Sequence, residues 1–123
     1  IKDAYSISLI LLEKRIAEGE RMIGKKIGVT SKVVQEMLEV HQPDFGFLTS
    51  GMHIPNKSTV SIKDSLIQPR AEGEIAFILS QDLQGPGIKA NDVLDSTEYI
   101  LPCFEIVDSG LTSPKMINYL KIC

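Results

Sequence analysis

Three glutamates lie in apolar, strand-like surroundings, where isolated carboxylates are unusual. Glu72 and Glu74 are two residues apart at the start of one apolar run, and Glu105 lies inside a second run. Side chains alternate across a strand, so Glu72 and Glu74 are predicted to share a face, with Cα atoms roughly 6.5 Å apart. A buried carboxylate without a partner is costly, or its pKa rises until it protonates. The three side chains therefore need water, a basic partner or a cation.

Each of these solutions predicts a different site. The face that carries the glutamates could be solvated, as in many antiparallel sheets with alternating polar and apolar positions. Arg70, two residues before Glu72, could supply a salt bridge. Alternatively, the carboxylates of both runs could converge on one ion, and hard oxygen ligands of this kind suit Mg²⁺ or Mn²⁺. The spacing alone leaves all three solutions open.

The elements that must position these residues read as an α+β chain, helix-rich first and strand-rich later. Helices are predicted over residues 2–20 and 31–40, and a short one over 91–96. A strand or extended turn is predicted over 21–31, strands over 58–62, 71–79 and 98–109, and a loop over 41–52. Apolar residues at helical spacing predict two buried stripes. These stripes are Tyr5, Leu9, Leu12 and Ile16, and then Val33, Val34, Met37 and Leu38.

Composition excludes several classes of protein. The chain has 123 residues, enough for one hydrophobic core. Its net charge of −3 argues against nucleic acid as the main partner. The sequence has no apolar run near the roughly 20 residues that span a membrane, and no signal-peptide pattern, so no membrane partner is expected. Cys103 and Cys123 lack metal or redox spacing, which favours a reducing cytoplasm.

Four segments carry a specific resemblance: the opening DAYSISLILLEKRIAEGERMIGKKIG, then GKKIGVTSKVVQEMLEVHQPDFGFL, LIQPRAEGEIAFIL and GPGIKANDVLDSTEYILPCFEIVDS. In order and spacing they closely resemble the 2-hydroxypenta-2,4-dienoate hydratases, also called 2-oxopent-4-enoate or 2-keto-4-pentenoate hydratases. These enzymes belong to the fumarylacetoacetate hydrolase superfamily and serve the meta-cleavage breakdown of catechols in bacteria. The resemblance runs from about residue 3 to residue 109.

The resemblance implies a set of site residues. Glu72, Glu74 and Glu105 correspond to three carboxylate ligands of a divalent metal, usually Mg²⁺ or Mn²⁺. Lys26 corresponds to the family's active-site lysine, and Asp44 to a loop acid near the substrate. Considered without the resemblance, Lys26 would be a solvated lysine and Asp44 an ordinary turn former.

The implied reaction is metal-dependent hydration. A 2-hydroxydienoate or 2-keto acid would chelate the metal, be protonated at its far carbon, and take up water at C4 to give 4-hydroxy-2-oxopentanoate. Lys26 would hold the carboxylate or the developing oxyanion, and Asp44 would move a proton or orient water. The expected partners are the small-molecule substrate, further copies of the chain in a homo-oligomer, and the 4-oxalocrotonate decarboxylase that accompanies such hydratases.

The family pattern breaks between Ser109 and Gly110, where residues are expected to be missing. We therefore expect an incomplete β-roll or barrel of the fumarylacetoacetate hydrolase type, from a truncated or internally deleted chain or from joined pieces of a longer protein. The expected parts are a helical cap region over 1–52, the start of a metal-binding β domain over 53–109, and an out-of-pattern segment over 110–123. Two other functions remain open: 4-oxalocrotonate decarboxylase, and an inactive remnant that acts in binding or assembly.

Overall fold

The computed structural model of the chain describes residues 2–108 and 119–122. Its elements, in chain order, are α1 Lys2–Ala17, β1 Met22–Gly28, α2 Lys32–Met37, β2 Asp44–Thr49, a 3₁₀ turn Ser50–Met52, β3 His53–Ile54, α3 Ile62–Ser65, β4 Arg70–Leu79, α4 Ala90–Asp95, β5 Thr97–Val107 and β6 Tyr119–Ile122. They fall into two compact units, Ile1–His53 and Ile54–Cys123. Helices in the described ranges are all too short or too polar to cross a membrane.

This division into two units does not test the three predicted parts of the chain. The boundaries expected after residues 52 and 109 stay predictions. The expected break between Ser109 and Gly110 lies outside the described residues, as do Cys123 and most of the out-of-pattern segment 110–123. Cys103 is buried on β5, in keeping with the burial of free thiols in general.

The first helix ends in a Schellman motif, three residues before the predicted end at residue 20. Gly19 has a φ of 99°, a left-handed conformation that glycine adopts without steric cost. The Gly19 N–H donates to the carbonyl of Ile16, and the Glu20 N–H donates to that of Arg15, each at 3.0 Å. These bonds satisfy carbonyls that the helix itself leaves without partners, so the chain turns directly into β1.

The first unit contains an antiparallel ribbon of β1 and β2. The predicted loop over 41–52 is wrong in its middle, because six of its residues form β2. Phe45 and Phe47 suit a pleated surface and pack on one another, with ring centroids 5.9 Å apart. Tyr5 of α1 stacks on Phe45 at 4.5 Å, so α1 covers this face of the ribbon.

The predicted apolar stripe of α1 is correct for only part of its length. Tyr5 and Leu12 are half-buried, as the spacing predicts, whereas Leu9 and Ile16 are exposed. The helix meets β2 mainly through the stacked ring of Tyr5, so the apolar side chains away from that ring keep their contact with solvent.

The predicted apolar stripe of α2 is wrong for three of its four residues, because only Val34 is half-buried. Val33 and Met37 are 74% and 72% exposed, whereas Gln35 is only 5% exposed. The helix has six residues, too few to present a continuous apolar face. Gln35 is buried instead because its side-chain amide donates to the carbonyl of Val29 at 2.9 Å.

Both ends of α2 are capped. The Ser31 hydroxyl accepts a hydrogen bond from the Val34 N–H at 3.4 Å, so Ser31 is the N-cap of this helix. At the other end Glu39 has a φ of 54°, and the Val40 N–H donates to the carbonyl of Gln35 at 2.9 Å. This is the position at which a Schellman motif normally has glycine.

Glu20 ties the beginning of β1 to the end of β2. Its carboxylate accepts hydrogen bonds from the Thr49 hydroxyl and from the Gly51 N–H, the latter at 3.1 Å, and it forms a salt bridge with Arg15 at 3.1 Å. The Thr49 hydrogen bond is the main cause that lowers the pKa of Glu20; the charge of Arg15 acts in the same direction, and burial opposes both.

The second unit is built on a four-stranded sheet in the order β3-β6-β5-β4. The strand predicted over 58–62 is wrong: Ser61 precedes helix α3, and its hydroxyl donates to the Asp64 carboxylate at 2.6 Å. Such local bonds from short polar side chains favour helix starts over strands. Strands β4 and β5 and helix α4 lie where they were predicted.

Replacing Glu39 with glycine should stabilise the chain. Glycine removes the steric cost of the left-handed conformation, and we expect a gain of about 1 kcal/mol in the free energy of unfolding. Denaturant unfolding of Glu39→Gly and of Glu39→Ala measures it. The alanine variant loses the same charge but keeps the steric cost, so equal stability of the two variants would contradict the assignment.

The lowered pKa of Glu20 predicts a pH dependence. Because the folded-state pKa lies below the ordinary value of 4.5, the stabilisation is fully present above that pH and is lost as the pH falls through the folded-state pKa. Glu20→Gln should therefore be less stable than the wild type at neutral pH, and the difference should shrink in acid. Melting temperatures from neutral pH to below pH 4.5 measure this difference, with Glu18→Gln, at the exposed residue that follows α1, as the control. A constant difference at all pH values would contradict the assignment.

Candidate metal centre

The register of β4 and β5 sets Glu72 directly opposite Glu105 and Glu74 directly opposite Cys103. Cross-strand partners point to the same face, so all three glutamates lie on one face of the ladder. Glu72 and Glu74 therefore share a face of β4, as the sequence predicted. Like charges directly opposite each other destabilise a sheet.

The three carboxylates converge. One oxygen from each lies within 4.8 Å of the other two. Glu105 is only 5% exposed, whereas Glu72 and Glu74 are open to solvent. Two negative charges about 5 Å apart repel by roughly 3 kcal/mol at an effective dielectric constant of 20, and water reduces this for the exposed pair. The buried carboxylate of Glu105 is the group that solvent screens least.

Of the three solutions open at the sequence level, the salt bridge to Arg70 is not formed. Within residues 2–108, Arg70 makes no salt bridge with Glu72 or Glu74. Solvation accounts for the two exposed carboxylates, and the buried carboxylate of Glu105 is not left without a partner in the protein. A cation would offset the repulsion of all three at once.

The donor set fits a hard divalent cation. Oxygen ligands of Mg²⁺ stand about 2.1 Å from the ion, so two of them can be at most about 4.2 Å apart. Small side-chain rotations would bring the three glutamate oxygens into this range. Three protein oxygens would leave the other octahedral positions to water or to a bidentate acid.

Asp108 holds the beginning of β4 against the end of β5. Its two carboxylate oxygens accept hydrogen bonds from the backbone N–H groups of Ile67 and Gln68, each at 2.7 Å. These residues precede the first ladder pair, Arg70 with Val107. No role was predicted for Asp108 from the sequence, although a carboxylate at the end of an apolar strand is a signal for such a bond.

Lys26 and Asp44 lie in the first unit, on the ribbon of β1 and β2. Lys26 is paired with Gly46, and Asp44 is paired with Gly28, so these four residues share one face. Phe45 lies on the opposite face of the ribbon, and α1 covers that face. Asp44 is thus the first residue of a strand, and its prediction as a loop acid is wrong in that respect.

Comparison with known proteins gives close relatives. The chain is 60% identical over 116 residues to a 2-hydroxypent-2,4-dienoate hydratase of Pseudomonas putida, and 62% identical over 117 residues to a 2-hydroxyhexa-2,4-dienoate hydratase of Comamonas testosteroni. Each match covers 94% of the chain. It covers 52% and 44% of the two relatives, so the chain spans about half their length. No family model matches the chain.

The fold also has a solved counterpart. The chain superposes on 4-oxalocrotonate decarboxylase from Pseudomonas putida G7, complexed with magnesium and adipate, with a TM-score of 0.87 and 26% identity. The match covers 99% of the chain and 50% of the decarboxylase. The predicted fold class, an incomplete α+β fold of the fumarylacetoacetate hydrolase type, is confirmed, as is the resemblance to the hydratases.

Proposed function

We propose that this chain, a homologue of the 2-hydroxypentadienoate hydratases over 94% of its length, is the metal-binding part of such an enzyme. The reaction would be the addition of water to 2-hydroxypenta-2,4-dienoate to give 4-hydroxy-2-oxopentanoate, within meta-cleavage catabolism of aromatic compounds. The convergence of three carboxylates within 4.8 Å on one sheet face carries this proposal.

Glu72, Glu74 and Glu105 would hold the cation, for which Mg²⁺ and Mn²⁺ are the proposed candidates. A bound dication supplies Lewis-acid stabilisation of the negative charge that develops on a keto acid. Two solved structures of the decarboxylase relative support a divalent ion, since one contains magnesium with adipate and the other calcium with acetate. Calcium and magnesium share the preference for oxygen ligands.

Lys26 and Asp44 would act on the substrate. The ammonium of Lys26 would hold the substrate carboxylate or the developing oxyanion. The carboxylate of Asp44 would move a proton or orient the attacking water. Their shared face on the β1–β2 ribbon supports a joint role, because it lets two groups of opposite charge serve one ligand.

Hydration is favoured over decarboxylation by the degree of similarity. Identity to the two hydratases is 60% and 62%, against 26% and 27% to the decarboxylase structures. A cytoplasmic location, a homo-oligomer and association with a 4-oxalocrotonate decarboxylase remain predictions from the sequence. An inactive remnant would keep the metal centre without turnover.

Metal binding should stabilise the chain. A ligand that binds only the folded state at a hundredfold excess over its Kd contributes about 2.7 kcal/mol. We expect MgCl₂ or MnCl₂ to raise the melting temperature of the wild type, and Glu105→Gln to abolish the shift. Glu98→Gln, on the same strand but outside the cluster, should keep it. An equal shift in both variants would place the ion elsewhere.

Activity tests the reaction itself. With Mg²⁺ present, the chain should consume 2-hydroxypenta-2,4-dienoate with loss of the diene absorbance. Lys26→Ala should lower kcat/KM by about a hundredfold or more, as expected for loss of a group that stabilises charge in the transition state. Release of CO₂ from 4-oxalocrotonate instead would identify a decarboxylase. Metal binding without either turnover would favour the inactive remnant.

A further inference from the structure

We infer that Gly28 and Gly46 are positioning residues for Asp44 and Lys26. Each glycine leaves open the space in which the side chain of its cross-strand partner lies: Asp44 over Gly28, and Lys26 over Gly46. The catalytic meaning of this arrangement rests on the proposed function. The geometry itself does not.

Gly28 has the tighter contact. A Cβ built on it would lie 2.5 Å from Oδ1 of Asp44, 3.5 Å from Cγ and 3.9 Å from Oδ2. The carboxylate therefore lies across the ribbon, directly over the glycine. Gly28 does not have a left-handed φ, so any residue could adopt its backbone conformation. The need for glycine here comes from the space above it.

Gly46 has a milder version of the same contact. A Cβ there would lie 3.1 Å from Cγ and 3.5 Å from Cδ of Lys26. The lysine stem thus lies flat over the glycine, and a methyl group would displace it by a few tenths of an ångström. Gly46 also lacks a left-handed φ. Because a lysine side chain has about 2 kcal/mol of rotamer entropy when free, a surface that confines its stem helps to aim the ammonium.

Gly24 provides a matched control on the same face of the same ribbon. Its cross-strand partner is Leu48, and a Cβ on Gly24 would lie 3.8 Å from Cδ1 of that leucine, an ordinary van der Waals distance. Alanine should fit there, and replacing a glycine inside a strand normally favours folding. Alanine substitutions at the three glycines therefore distinguish the effect of close contact with a polar side chain from the effect of strand propensity.

Unfolding midpoints test the geometry without reference to activity. Gly24→Ala should leave the midpoint unchanged or raise it, whereas Gly28→Ala should give a lower midpoint than Gly24→Ala because its added Cβ must displace the Asp44 carboxylate. In an Asp44→Ala background the carboxylate is gone, so the two glycine variants should have similar midpoints. The inference is overturned if Gly28→Ala behaves like Gly24→Ala, or if its effect is the same with and without the Asp44 side chain.

Kinetics test the positioning role. A misplacement of about 1 Å can cost about a hundredfold in rate, so Gly28→Ala should lower kcat by up to that factor with KM little changed. Gly46→Ala should mainly raise KM if Lys26 holds the substrate carboxylate. Gly28→Ala should add nothing to Asp44→Ala. Coupled midpoints without wild-type turnover would reject the proposed function and keep the geometry; turnover that Gly28→Ala leaves unchanged would reject the positioning role.

Discussion

The repulsion among three carboxylates on one sheet face is the constraint on which the second unit depends. Glu72 and Glu105 are ladder partners, and Glu74 is the next residue on the same face. The backbone hydrogen bonds of β4 and β5 fix these positions, so the charges cannot separate without loss of pairing. Side-chain rotation can relieve the two exposed groups only, because Glu105 is buried. A fold that keeps such an arrangement is poised to gain free energy from a cation.

The first unit solves a different problem, which is to hold long or charged side chains along a narrow ribbon. Its two faces have separate tasks, since side chains alternate along each strand. On one face Phe45 packs against Tyr5 of α1 and against Phe47. Lys26 and Asp44 lie on the other face, above glycines. A third glycine, Gly51, follows the same rule, with the carboxylate of Glu20 about 2.6 Å from where its Cβ would be. The glycines, which have no side chain, thus leave the space that the neighbouring charged side chains occupy.

Local patterns predicted the elements whose information is local. Apolar runs identified β4 and β5, and the alternation of side chains along a strand gave Glu72 and Glu74 a shared face. The failures concern strand pairings and side-chain hydrogen bonds that the apolar pattern does not encode. β2 was read as a loop because its pairing with β1 is invisible from within the segment, and Gln35 was missed because its burial depends on one bond to Val29. Resemblance to a family supplied the roles proposed for Lys26 and Asp44, which spacing alone did not.

Asp108 has a consequence for the fidelity of folding. A strand pair can shift its register by whole residues. A one-residue shift of β5 along β4 would turn Glu105 to the opposite face of the sheet, to which Phe104 now points. A two-residue slip would keep the correct side but match Glu105 with Arg70 or Glu74 in place of Glu72. The clasp between Asp108 and the N–H groups of Ile67 and Gln68 closes only in the native alignment. The Asp108 carboxylate lies outside the cluster, and its hydrogen bonds favour the strand register that brings the three cluster carboxylates together.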